Sequence, residues 1–230
     1  MDTETRKVVL TLVLCTTAGF CDALTYTSAN GLFSAHVTGN FILFATNLVN
    51  NAEHDPWIKL LTFPVFIVSV MAGGWIGSKY ANKNLLLLIE ALVLSITGVA
   101  ATLAQAGGLI SVNAVVYIIA MMMVSAMGIQ NAYGKLFSSA TFGPTTMMTG
   151  NVTQWALDLK NIGLSHDKKP LTVTSFKKTS LIIAGFLVGC VAGALAGKLG
   201  GLGTAIFPGA AMITCYRLTG NKEDNDLNID

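Results

Sequence analysis

The chain has 230 residues, 53% of them hydrophobic and only 11% charged, and its mean hydropathy is +0.62. Soluble domains carry about 25% charged residues, so this is a membrane composition. The formal net charge is +2 and the 14 Lys and Arg residues are scattered along the chain, which leaves no electrostatic footprint for nucleic acid.

The chain opens with "MDTETRKVVLTLVL". This runs into an apolar stretch too long for the hydrophobic core of a signal peptide, with no cleavage site before the polar "CDALTYTSAN", so the first span is expected to stay. Segments long enough to cross about 30 Å of hydrocarbon as helices follow at 7–27, 57–77, 84–105, 112–133, 179–199 and 201–216. Between them lie two shorter apolar segments broken by polar residues, "GLFSAHVTGNFILFATNLV" (the helix at about 35–51) and "TTMMTGNVTQWALDL" (about 145–159).

Loop charge decides between two topologies, because cytoplasmic loops carry excess Lys and Arg. If both TGN segments span, Lys79 and Lys83 fall outside when Arg6 and Lys7 are inside. If both dip in and return by the same face, nearly every cation becomes cytoplasmic, with both termini; Lys59 and Lys198 are the exceptions, each near a span end where a lysine reaches the interface. The expected fold is therefore all-α and integral to the membrane, one domain over 1–230. It has about six transmembrane helices and two short broken, re-entrant TGN helices, ahead of a disordered acidic tail at 219–230.

The two halves, 7–105 and 112–218, align. "AGFCDALTY" against "AMGIQNAYG" puts Gly19 over Gly128 and Asp22 over Asn131, a shift of 109, and Thr38, Gly39 and Asn40 fall over Thr149, Gly150 and Asn151, a shift of 111. "GGWIG" answers "GCVAG", Gly73 over Gly189, a shift of 116. Three crossings per half make the repeats inverted, and paired broken helices in inverted repeats point to a transporter with its site near the midplane.

Irregular backbone at membrane depth survives only where protein or a water-lined cavity satisfies it. Thr38, Gly39, Asn40, Thr149, Gly150 and Asn151, with Gln130 and Asn131, are therefore the candidate substrate-binding residues, the half-helix amides offering a cradle for a carboxylate or another polar acceptor. The alternative is that Thr and Asn only cap the half-helices and bond neighbouring backbone. Asp22 shares a helical face with Gly19, Ala23 and Tyr26. An acid within a span is a functional candidate, so a proton- or cation-coupling role is expected for Asp22, with His36 as partner and Glu90 ranked second.

The small-xxx-small spacings of Gly73 with Gly77 and of Gly189, Gly193 and Gly197 favour close packing within the bundle over a homo-oligomer interface. Four cysteines, Cys15, Cys21, Cys190 and Cys215, lack metal-ligand spacing. His36, His54 and His166 are far apart and no HExxH or GxSxG occurs, so no metal, cofactor or catalytic residue is expected and the chain does not read as an enzyme.

"AGFCDALTY", "GLFSAHVTGN", the glycine-rich third helix, "AMGIQNA" and "TTMMTGNVTQWALDL" together resemble the YoaK-like family of bacterial multi-pass membrane proteins, over nearly the whole chain. The resemblance implies an inner-membrane protein of about six spans with no assigned substrate. The function expected from the residues is secondary transport of a small polar or anionic solute, with the lipid bilayer and that solute or ion as partners; a passive channel and a non-transporting scaffold are the rivals.

Overall fold

The computed structural model describes residues 2–50, 56–80, 82–164 and 170–219. Eight α-helices occupy them: α1 (Thr3–Ser28), α2 (Gly39–Val49), α3 (Trp57–Tyr80), α4 (Lys83–Ala106), α5 (Asn113–Leu136), α6 (Met148–Leu164), α7 (Pro170–Gly200) and α8 (Ile206–Thr219). The acidic tail expected at 219–230 lies, beyond Thr219, outside the described residues, as do His54 and His166.

Five helical stretches are long and apolar enough to cross a membrane: α1, α3, α4, α5, and the stretch Pro170–Arg217 that holds α7 and α8. The chain thus has the character of a multi-pass membrane protein. α7 is small inside and large outside. In α7 the buried positions are Thr179, Ile182, Gly185, Gly189 and Gly193, while Leu187, Val188, Val191, Leu195 and Leu199 are exposed. Lipid tails are as apolar as leucine, so large side chains gain little by turning inward, and close backbone approach is what small ones gain.

The glycines give the relative direction of the helices. A Cβ on Gly189 or Gly193 would fall on the backbone of Thr16 or Phe20, and one on Gly197 would meet Thr27. Residue numbers rise together, so α1 and α7 run parallel. The same holds for α3 and α5, where Gly128 meets Ser69, Gly73 meets Ile129 and Ala132, and Gly77 meets Leu136. Gly98 with Ile206, Gly203 with Thr102 and Gly209 with Ser95 make α4 and α8 antiparallel. Leu14 with Gln130 and Asn30 with Tyr117 make α1 and α5 antiparallel. Gly201, with φ of 61°, takes the left-handed turn that reverses the chain between α7 and α8.

These directions place Arg6, Lys7, Lys79, Lys135, Lys160, Lys177, Lys178 and Arg217 towards the end of the bundle where α1 begins. Lys59 sits at the other end, but it does not reach the interface as its sequence position suggested. It is 2% exposed, and its Nζ donates to the carbonyls of Asn30 and Gly31 at 2.6 and 3.1 Å. A cation there satisfies the carbonyls just past the C-terminus of α1.

α7 begins at Pro170 rather than near residue 179. The added turns are held against α6: Ser175 Oγ donates to Asp158 at 2.6 Å and the Phe176 ring stacks on Trp155, 5.3 Å between centroids.

Candidate functional site

α1 ends in two left-handed residues, Asn30 (φ 54°) and Gly31 (φ 69°). Asn and Gly adopt that conformation at least cost, and it turns the chain back alongside its own helix. The returning loop reaches the level of Asp22, six residues before the end of α1. There the carboxylate accepts Ala35 N–H at 2.6 Å, His36 N–H at 3.2 Å and Ser34 Oγ–H at 3.5 Å. His36 Nδ1 also pairs with its second oxygen. Asp22 is only 4% exposed, so the loop's donors, and not water, compensate its burial.

α2 then leaves in the direction opposite to α3, as Asn40 on Thr62 and Phe44 on Trp57 require. The segment dips in and returns to the end from which it came. Its first amides are already engaged: Gly39, Asn40 and Phe41 N–H donate to the carbonyls of His36, Val37 and Thr38. Thr38, at the N-cap, makes no side-chain capping bond. The anion cradle expected at this half-helix is therefore absent, because a tight 3₁₀-type turn uses up the amides that would have formed it.

Asn40 turns away from any ligand. Its Nδ2 donates to Phe33 O at 2.8 Å and to Thr62 Oγ1 at 3.0 Å, and its Oδ1 accepts Phe33 N–H at 2.9 Å. In the second broken segment Asn151 Nδ2 donates to Pro144 O at 2.7 Å and to Met147 O at 3.2 Å. Thr146 Oγ1 donates to Asn131 Oδ1 at 2.8 Å, and Gln130 Nε2 reaches Thr145 Oγ1 and Leu14 O at 3.1 and 2.9 Å. α6 runs antiparallel to α7, as Trp155 on Ser180 and Asp158 on Ser175 show.

The candidate residues do not meet in one central pocket. Asp22, His36, Thr38 and Gly39 line a cavity of about 610 Å³ whose walls are the apolar Phe33, Ile42, Phe186 and Ala194. The His36 ring stands edge-on to Phe186, 5.4 Å between centroids. Gln130 and Asn131 line a separate cavity of about 320 Å³ with Lys135, Ser138, Thr145 and Thr146. Thr149 and Gly150 are exposed and border neither. Glu90 is buried elsewhere, in α4. Sequence reasoning missed Lys135, Thr145 and Thr146; a shift of 109 or 111 from Tyr26, Ser34 and Ala35 in the first half would have pointed to them.

Chemically, the first cavity offers one imidazole braced by a carboxylate, with the hydroxyl-bearing Thr27, Thr38 and Tyr26, in a mostly apolar wall. The second offers hydroxyls, amides and one ammonium, a set suited to a polar or anionic solute. No group of three or more metal-ligating His, Cys, Asp or Glu side chains occurs among the described residues, and none of the four cysteines is disulfide-bonded.

No curated protein and no solved structure matches the chain. Residues 10–218, nearly all of the helical bundle including both broken segments and both cavities, match the family described as "Protein of unknown function (DUF1275)", with which the YoaK-like resemblance is consistent; the chain belongs to that family.

Proposed function

We propose that the protein is a secondary transporter of a small polar or anionic solute in the bacterial inner membrane, with six spans, two re-entrant helices and both termini cytoplasmic. Counting α7 and α8 separately gives six alternating crossings, and the cations gathered at one end then obey the positive-inside bias. The two halves are read as inverted repeats.

One observation carries this reading: the same bonds recur in both halves. Asn40 holds the carbonyl seven residues before it, Phe33, and Asn151 holds Pro144. Gly19 crosses α7 at Phe186 and Cys190, and Gly128 crosses α3 at Phe66 and Val70. The shifts are 109 for the glycines and 120 for both pairs of partners. Paired broken helices dipping from opposite ends, each beside its own cavity, suit alternating access in which the first cavity serves one side and the second the other. Asp22 and His36, present only in the first half, are the proposed coupling pair.

The test is uptake into proteoliposomes across a panel of small carboxylates, phosphates, amino acids and sugars, preceded by a thermal-shift screen for binding. Saturable uptake that responds to a pH gradient, and loses that response in His36→Gln, is expected. Flux proportional to concentration without saturation points to a channel instead. A second reading, a non-transporting scaffold, is favoured by a specific observation: both polar atoms of Asp22 and Asn40, and the side-chain nitrogen of Asn151, bond the chain's own backbone or side chains. Binding of no solute in the panel, with the loops intact, would support it.

A further inference from the structure

Glu90 lies in α4 with no exposed surface, and neither carboxyl oxygen has a hydrogen-bond partner. Its setting is the opposite of that of Asp22, whose charge is met by backbone amides, a hydroxyl and an imidazole. Among the described residues, Tyr133 on α5, Cys215 on α8 and Cys21 on α1 are titratable side chains that feel Glu90 electrostatically. Each is uncharged while it keeps its proton, so none supplies positive charge. Tyr133 is 1% exposed, and its hydroxyl is likewise unpartnered.

An ionised carboxylate with no donor and no counter-ion is not tolerated in such surroundings, whereas the neutral acid is. Retaining an acid where leucine would fill the space more favourably needs a use for its proton. We propose that Glu90 is an intramembrane proton-binding site, a carboxyl group held as the neutral acid at rest and able to release one proton when the helices around it part. The reaction is one O–H bond formed on a carboxylate oxygen as one O–H bond of hydronium breaks to leave water, and release is the reverse. The inference deepens the transport reading by naming a second coupling group, and rests on it only for what the proton is used for.

The test needs no solute. The purified full-length protein is treated with dicyclohexylcarbodiimide, an apolar reagent that reacts with protonated carboxyl groups. The acid's proton passes to a carbodiimide nitrogen as its oxygen bonds the central carbon, and rearrangement leaves a stable acylurea that peptide mass spectrometry locates. Modification at Glu90 is expected, an order of magnitude faster than with a water-soluble carbodiimide and slower as pH rises. An infrared difference spectrum of wild type against Glu90→Gln should show the carbonyl band of a protonated acid in the wild type alone. Lack of modification at Glu90, equal rates with the two reagents, or absence of that band would overturn the proposal. The labelling uses wild-type protein, so it decides the matter even if Glu90→Gln does not fold. Failure of the uptake assay with Glu90 still labelled would instead sink the transport reading.

Discussion

Asn40 grips both polar atoms of the Phe33 main chain, donating to its carbonyl at 2.8 Å and accepting its amide at 2.9 Å. From the matching residue, Pro144, Asn151 takes the carbonyl alone, because proline has no N–H to give, and its second bond goes to Met147 O. The first broken segment is thus held by one more bond than the second at the matching place, and by a further bond to Thr62. Asn40→Ala leaves the Phe33 donor and acceptor unpaired in a half-buried turn, at about 1–3 kcal/mol for each group, whereas the two carbonyls freed by Asn151→Ala, of Pro144 and Met147, belong to exposed residues and lose less. The expected outcome is a larger loss of stability for Asn40→Ala, by about 2 kcal/mol, read by unfolding of the purified variants in a mild detergent. Equal losses would show that the double grip contributes nothing.

That grip also marks where the sequence stopped being legible. Apolar runs located the long helices, but the irregular backbone precedes the TGN motifs: Gly39 and Asn40 open α2, and Thr149, Gly150 and Asn151 lie within α6. Their partners were not visible, because Asn40 and Asn151 bind main-chain groups, and a main-chain group carries no residue identity to search for. The spacing of seven residues from Phe33 to Asn40 is the same as from Pro144 to Asn151, but nothing in either residue announces it. Register failed for a related reason. Gly73 aligns with Gly189 by sequence, yet Gly73 approaches Ile129 and Gly193 approaches Phe20, and Ile129 and Phe20 are the residues related by 109. α7 carries glycine at 185, 189, 193 and 197, so a slip of one turn leaves the pattern unchanged and only packing selects among them. The early start of α7 escaped because hydropathy reports lipid contact, whereas Ser175 and Phe176 meet Asp158 and Trp155 of α6.

Lys59 offers a sharper test of a polar contact. Its ammonium meets the carbonyls of Asn30 and Gly31 just past the end of α1, where the loop towards Asp22 begins. Lys59→Met keeps the length of the side chain and removes its donors, stranding two carbonyls at about 1–3 kcal/mol each. Protease susceptibility at 29–38 is expected to rise more than overall melting falls, because the damage is local to that loop. Unchanged cleavage in Lys59→Met would mean that the ammonium does not hold the loop.

Glycines that look alike in sequence should respond in opposite ways. Gly73 and Gly74 are neighbours, but a Cβ on Gly73 would sit 2.9 Å from that of Ala132, whereas one on Gly74 meets nothing within 4 Å. Gly19 is stricter still, since the obstacle is the Phe186 carbonyl, a backbone group that no rotamer change can move. Gly19→Ala should therefore cost about 1–3 kcal/mol or more through forced separation of α1 and α7. Gly74→Ala should be neutral or stabilising by up to about 1 kcal/mol, from helix propensity alone. Melting temperatures of the two variants, compared in the same detergent, check the contrast; similar losses in both would contradict the packing described for α1 and α7.

The direction of α2 makes the most consequential prediction, because it separates six crossings from eight. Asn30 follows α1 and Asn50 follows α2. If α2 returns to the end it came from, both lie on the same face of the membrane, together with Gly108 after α4, and Asn82 and Ser138 lie on the other. If α2 crosses, Asn50 changes sides relative to Asn30. Single cysteines at these positions, in a background with Cys15, Cys21, Cys190 and Cys215 replaced by alanine or serine, can be read in intact cells with an impermeant maleimide. Labelling is expected at 30, 50 and 108 from outside, and at 82 and 138 only after the membrane is opened. Cysteine at 50 protected while cysteine at 30 reacts would make α2 a spanning helix. The broken segments would then no longer be paired re-entrant elements, and the transport mechanism built on them would fall with that pairing.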